Sequence, residues 1–266
     1  KHKELLHKYS INNTYYHEWV KHRLPQYPKE KFDITSYTPV DVIFRNNITI
    51  ILTTTVYVDC NKEWIYQTNS NERILLYLSK IKLWLENTKF KIVLVENSGY
   101  TYPELKEYLI KYKERFEIIT YKECDLPDYN IIQKTRTKGI SELYAINYAY
   151  DHSLMARDSS HIIKITGRYY IDELENYLNK HDLHNIDCIE QRSLITSKGE
   201  PYYRCELIGC SKNIFKIIFS TNGNIDTHIE DTYHERISAY TNTIVCKHFS
   251  IEPTQMGGVN HIAKYL

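Results

Sequence analysis

The sequence contains no Gly-x-Gly-x-x-Gly, no Walker A string and no Gly-x-Ser-x-Gly. A dinucleotide-binding enzyme, a P-loop kinase or ATPase and an ordinary serine hydrolase therefore each lack the backbone cradle or nucleophile turn that their chemistry requires. Cys-x-x-Cys is also missing. The six cysteines, Cys60, Cys124, Cys188, Cys205, Cys210 and Cys246, lie far apart, which argues against a zinc knuckle or a small disulfide scaffold and for free thiols in a cytoplasmic protein. Nor is there an excess of charge of one sign. A formal net charge of +1 gives no basic footprint for nucleic acid, so no nucleic-acid partner is expected and any anion must be held locally. The longest apolar runs, such as Ile48 to Leu52, fall far short of the ~20 residues of a membrane span. No signal-peptide pattern opens the chain, and no integral membrane segment is expected. No repeat is evident, which disfavours a solenoid.

What is present suits one large α/β domain with an extension. The 266 residues are 42% hydrophobic and 25% charged, ordinary values for a globular protein. Twenty-five tyrosines, with abundant Ile, Asn and Lys, fit the coding bias of an AT-rich genome. The chain begins without Met, which leaves room for an upstream segment. Residues 1–46 read as an N-terminal extension or linker, polar at first and then interrupted by Pro25, Pro28 and Pro39.

From residue 47 to 266 the pattern is that of a single domain with halves at 47–170 and 171–266. Ile48 to Val58 is a near-continuous β-branched run, as for a strand buried on both faces. Asn69 to Asn87 spaces Ile74, Leu75, Leu78, Ile81 and Leu85 along a helix. Lys91 to Val95 predicts a strand ending in the turn residues Glu96 to Gly99, Pro103 opens a helix to about Arg115, and Phe116 to Tyr121 predicts a third strand. A helix from Lys138 to Ser153 and a strand from His161 to Ile165 follow. Asp187 to Gln191, Tyr202 to Cys210 and Thr243 to Phe249 are further candidate strands, with a helix at Lys212 to Phe219. Strands separated by helices imply parallel βαβ units, whose ligands bind outside the carboxyl ends of the strands.

The ordered pieces Val95-Glu96-Asn97-Ser98-Gly99, Lys138-Gly139-Ile140-Ser141-Glu142 and Ile163-Lys164-Ile165-Thr166-Gly167-Arg168-Tyr169 resemble the nucleotide-sugar half of GT-A glycosyltransferases, particularly polysaccharide-building, family-2-like ones. The resemblance covers about Ile48 to Tyr170. It implies a GT-A-like (Rossmann-like) α/β fold with a mostly parallel central sheet flanked by helices. Thr54, Glu96 and Asn97 would hold the nucleoside, and Lys138, Lys164, Thr166, Gly167 and Arg168 the diphosphate. GT-A enzymes typically carry Asp-x-Asp after the fourth strand to bind a divalent metal, whereas here the chain reads Lys164-Ile165-Thr166-Gly167-Arg168. Lys or Arg can neutralise a leaving diphosphate by charge-assisted hydrogen bonds. No cofactor is then required, although Mn or Mg remains compatible with the family.

His228-Ile229-Glu230-Asp231 with Arg236 resembles the Glu-Asp pair and later Arg of family-2-like enzymes, making Asp231 the candidate base and Glu230 the second choice. Acidic residues also suit a helix start for the dipole alone. Glu230, His234 and His228 offer a weaker metal alternative. Asp125 and Asp128 read as polar loop residues around Pro127. Glycines at Gln255 to His261 would let a loop close on the donor, with His261 its testable residue, or form a flexible tail. The expected reaction moves a sugar from a nucleotide-diphosphate donor to a hydroxyl on a glycan or other acceptor. The alternatives are a nucleotidyltransferase and a non-catalytic nucleotide- or glycan-binding module.

Overall fold

The computed structural model describes residues 47–266 except 60, 61, 64, 136, 196–198, 200 and 223–227. The stretch read as an N-terminal extension lies outside the described residues. The first described strand, β1 (Ile48–Thr54), is buried throughout. Helix α1 (Ser70–Asn87) returns the chain to β2 (Lys91–Glu96). Asn69 caps α1 by accepting from Asn71 N and Glu72 N, a contact of about 1 kcal/mol. A 3₁₀ turn at Pro103–Leu105 and α2 (Lys106–Lys111) lead to β3 (Phe116–Thr120). Then come α3 (Tyr129–Lys134), α4 (Gly139–His152), α5 (Leu154–Asp158) and β4 (His161–Thr166). Beyond β4 are α6 (Leu174–Leu178), β5 (Cys188–Glu190), β6 (Leu194–Ile195), β7 (Pro201–Tyr202), β8 (Leu207–Ser211), α7 (Phe215–Ile218), α8 (Ile229–Ser238), β9 (Thr243–Val245), β10 (Ser250–Gln255) and β11 (Ile262–Tyr265).

The central sheet has seven strands in the order β3-β2-β1-β4-β8-β5-β9. Pairs β3-β2, β2-β1, β1-β4 and β5-β9 are parallel, and β8 runs against both its neighbours. The mostly parallel α/β sheet expected from the sequence is therefore observed. Alternation along each strand sends residues to two separate cores. Ile50, Leu52, Ile92, Leu94, Ile163 and Ile165 face one layer with Trp84 and Tyr77 of α1. Ile51, Val93, Val95 and Ile162 face the other, with Leu143, Ile146 and Ala149 of α4. Trp84 Nε1 donates to Tyr169 O at 2.9 Å, fastening α1 to the turn after β4. Truncating so large a buried ring costs about 3–5 kcal/mol.

The expected continuous strand from Tyr202 to Cys210 is instead two, β7 and β8, because the residues between them turn toward the mouth of the sheet. Likewise Thr243 to Phe249 gives only the short β9, and the glycine-containing C-terminal stretch is a β10-β11 hairpin rather than a flexible tail. Among the described residues no helix is long and apolar enough to cross a membrane.

Candidate functional site

The carboxyl ends of β1, β2 and β4 open into a crevice of about 750 Å³. Thr53, Thr54, Asn97, Thr166 and Arg168 line its floor, and the starts of α4 and α8, the segment before β8 and the tip of the β10-β11 hairpin wall it. This is where parallel strands leave outward-facing backbone groups and a gap between crossovers.

On the β1-β2 side, Asn97 Oδ1 accepts from Thr55 Oγ1 and its Nδ2 donates to Glu123 Oε1, both at 2.6 Å. Burial pushes the Glu123 carboxyl upward, against hydrogen bonds from Ser141 and Asn97. Thr54 reaches the lining, but its hydroxyl donates to Val95 O at 3.0 Å. Glu96 is different from what the sequence suggests. Its side chain is fully buried and accepts from Val56 N, Ser98 N, Ser98 Oγ and Tyr100 N. Those donors saturate it as an internal bracket for the β2 turn, leaving no oxygen for a ribose.

The centre of the crevice is cationic. Arg168 is buried, and its Nη1 reaches Gln67 Oε1 at 3.3 Å and Gln255 O at 3.4 Å, with no carboxylate in ion-pair range among the described residues. Lys138 is open to water yet walled by protein, so desolvation first, and then the charge of Arg168, lowers its pKa. Arg73 of α1 also lines the site. Its donors are held by Thr55 O, Gln67 O and Tyr77 Oη, so it adds positive field rather than a free hydrogen-bonding fork. Beside Lys138, α4 begins with no side-chain cap, leaving the amides of its first turn without such a partner.

Lys164 does not join this group. It lies behind the floor, fully buried, with its Nζ 2.8 Å from Glu142 Oε1 and donating to Cys205 O and Thr166 Oγ1. A strand-centre position points it into the layer below β4, whereas Thr166 at the strand's end and Arg168 beyond it line the crevice. Gly167 is likewise structural: an added Cβ would meet Thr54 Cγ2 at 2.6 Å and Thr53 O at 2.8 Å, so its bare backbone permits β4 to close on β1.

Glu230 and Asp231, in the first turn of α8, line the same crevice. Glu230 Oε1 accepts weakly from Cys205 Sγ at 3.6 Å, while Asp231 is exposed. The two helix starts are pressed together. A Cβ on Gly139 would lie 2.6 Å from Ile229 Cβ, so glycine is what lets Lys138 and the Glu230-Asp231 pair share one wall. Arg236, paired with them in the sequence reading, instead binds Ile218 O, Ser220 O and Asn222 O and steadies the chain before α8.

His234 stacks on Tyr203 at 3.8 Å and lies 3.5 Å from Glu190 Oε2, so it does not face Glu230 as a metal ligand would. Among the described residues no group of three or more His, Cys, Asp or Glu can hold a metal ion. Arg168, just beyond the end of β4, places a positive charge at the carboxyl end of that strand. Met256 to Val259 reach the crevice, whereas His261 is exposed outside the lining, held in the hairpin by backbone bonds to Val259 and Met256.

Sequence reading missed Arg73, Glu123 and the Glu142-Lys164 pair. Arg73 and Glu123 looked like ordinary polar residues of a helix and a turn, and Lys164 was expected at the diphosphate; only the sheet order pairs it with Glu142.

No protein-family model matches the chain, and no curated protein matches it. Solved structures similar to this chain include transferases. One, from Desulfovibrio desulfuricans G20 and described as a nucleotide-diphospho-sugar transferase, is 13% identical with a TM-score of 0.43 over 76% of this chain and 80% of that one. A mannosyltransferase from Pyrobaculum calidifontis, in complex with GDP-Man and Mn2+, is 11% identical with a TM-score of 0.47 over 91% of this chain and 64% of that one. The glycosyltransferase GlyE of Streptococcus pneumoniae TIGR4 is 10% identical with a TM-score of 0.46 over 76% of this chain and 45% of that one. The chain thus spans less than two thirds of the latter two. These likenesses concern the fold.

Proposed function

We propose that the protein is a glycosyltransferase that moves a sugar from a nucleotide-diphosphate donor to a hydroxyl of a glycan acceptor, without a resident metal ion. The observation that carries this reading is the shared wall of the crevice. Lys138, Arg168 and the uncapped start of α4 form an anion site, with the carboxylates Glu230 and Asp231 beside it. A diphosphate leaving group needs positive charge where its bond to the anomeric carbon breaks, and two cations with oriented amides supply it. An acceptor hydroxyl needs a base as its oxygen attacks that carbon. Asp231, exposed at the rim, takes that proton, and Glu230 is the second candidate. Asn97 and Thr55 border the place for the nucleoside. The free thiols of Cys124, Cys188, Cys205, Cys210 and Cys246 suit action in the cytoplasm.

Titration calorimetry with UDP, GDP, TDP and CMP species, with and without manganese, tests the reading. Binding of a nucleoside diphosphate in chelator is expected, and no binding under any condition would sink it. Product analysis then separates transfer from nucleotidyl chemistry, since the first releases a nucleoside diphosphate and the second pyrophosphate.

A further inference from the structure

Behind the cationic centre lies a feature that diphosphate binding does not use. Glu142 lines the crevice from the first turn of α4, and only one of its oxygens is engaged. Oε1 accepts from Thr53 Oγ1 at 3.0 Å and lies 2.8 Å from the Lys164 ammonium. Oε2 has no hydrogen-bond partner among the described residues, and the side chain keeps 18% of its surface open to the crevice.

A fully buried lysine is an expensive way to fix one carboxylate, because removing the charge from water costs several kcal/mol and is often no better for stability than apolar packing. Here all of the ammonium's N–H groups are matched, by Glu142, Cys205 O and Thr166 Oγ1. Glu142 is thereby locked in one orientation, and its free oxygen is a preorganised acceptor one helical turn from Lys138.

We infer that Glu142 reads the sugar of the donor, accepting a hydrogen bond from a ring hydroxyl through Oε2, and that Lys164 and Thr53 are the positioning residues that aim it. The inference rests on the glycosyltransferase reading. It narrows the donor to a sugar with a free hydroxyl directed at α4, as opposed to one whose only polar groups there are acceptors. A carboxylate left facing an acceptor would be desolvated without a partner, and such mismatches discriminate strongly.

Glu142→Gln tests it, because Lys164 and Thr53 retain the amide oxygen and leave the NH2 group facing the crevice. An acceptor becomes a donor with little change in shape. Calorimetry on the full chain compares UDP and GDP with UDP-glucose, UDP-galactose, UDP-N-acetylglucosamine and GDP-mannose. For the sugar that the unmodified protein prefers, Glu142→Gln is expected to weaken binding at least tenfold while binding of the parent diphosphate stays within twofold. An unchanged preference among the sugars overturns this inference alone. Failure of the unmodified protein to bind any diphosphate overturns it together with the proposed function. Lys164→Met provides the second arm: where it folds, it should lose the same sugar preference, and retention of that preference removes Lys164 from the positioning role.

Discussion

Lys164 Nζ and Glu142 Oε1 sit 2.8 Å apart across the floor of the crevice, joining the centre of β4 to the first turn of α4. Burial alone would lower the pKa of Lys164, but the Glu142 carboxylate overrides it and holds the ammonium above its ordinary value. Lysine was expected at the diphosphate, and its charge is instead consumed inside the protein.

That pairing predicts an asymmetry in stability. Glu142→Gln leaves the fully buried Lys164 ammonium without its counter-charge and should cost about 3–5 kcal/mol, whereas Lys164→Met removes that buried charge and leaves a carboxylate that is open to the crevice, and should cost less. Urea unfolding measures both. Equal losses would mean that the pair is not acting as a charge pair.

In the proposed function Arg168 and Lys138 carry the anion site. Arg168→Ala or Lys138→Ala should weaken nucleoside-diphosphate binding by about 10- to 100-fold, the effect of removing a charge-assisted hydrogen bond of ~1.5–3 kcal/mol. Arg168→Lys should recover little, since Nη1 already reaches Gln67 Oε1 and Gln255 O and an ammonium lacks the guanidinium's planar set of further donors. Full binding by Arg168→Ala would remove it from the site.

The lowered pKa of Lys138, caused by desolvation and then by Arg168, gives donor affinity an alkaline limit. The ammonium is lost as pH rises through its depressed pKa, so binding should decline earlier than for a lysine titrating near 10.5. In Lys138→Arg that decline should move to higher pH. Calorimetry across an alkaline series reads the shift.

Asp231→Asn should lower the transfer rate by about 10²- to 10⁴-fold with donor affinity unchanged, as for loss of a general base. If Glu230→Gln shows this effect and Asp231→Asn does not, the two exchange roles. A non-catalytic module would show no turnover to lose.

His161 supplies a stability test. It is buried at the start of β4, with Nε2 at 3.0 Å from Ile186 O, and desolvation lowers its pKa below 6.5. A depressed folded-state value means that the unfolded chain takes up the proton first. The stability contributed is complete above pH 6.5 and is lost as pH falls through the folded-state value. Thermal melts below pH 6.5 should fall less steeply for His161→Gln than for the unmodified protein.

Local pattern alone determined β1, α1, β2, β4 and α4, because β-branched runs and helical spacing register whatever the partner. It also located the crevice, since parallel strands leave ligands only their carboxyl ends. The roles of individual charged residues were not legible there. Glu96, Lys164 and Arg236 occupy suggestive positions, but whether a polar side chain is free depends on the donors and acceptors that other segments bring to it. Val56 N reaches Glu96 from beyond β1, Glu142 reaches Lys164 from α4, and Ser220 O meets Arg236 from beyond α7. Free charge is a property of the folded neighbourhood, and tertiary structure alone decided that Arg168 and Lys138 keep theirs.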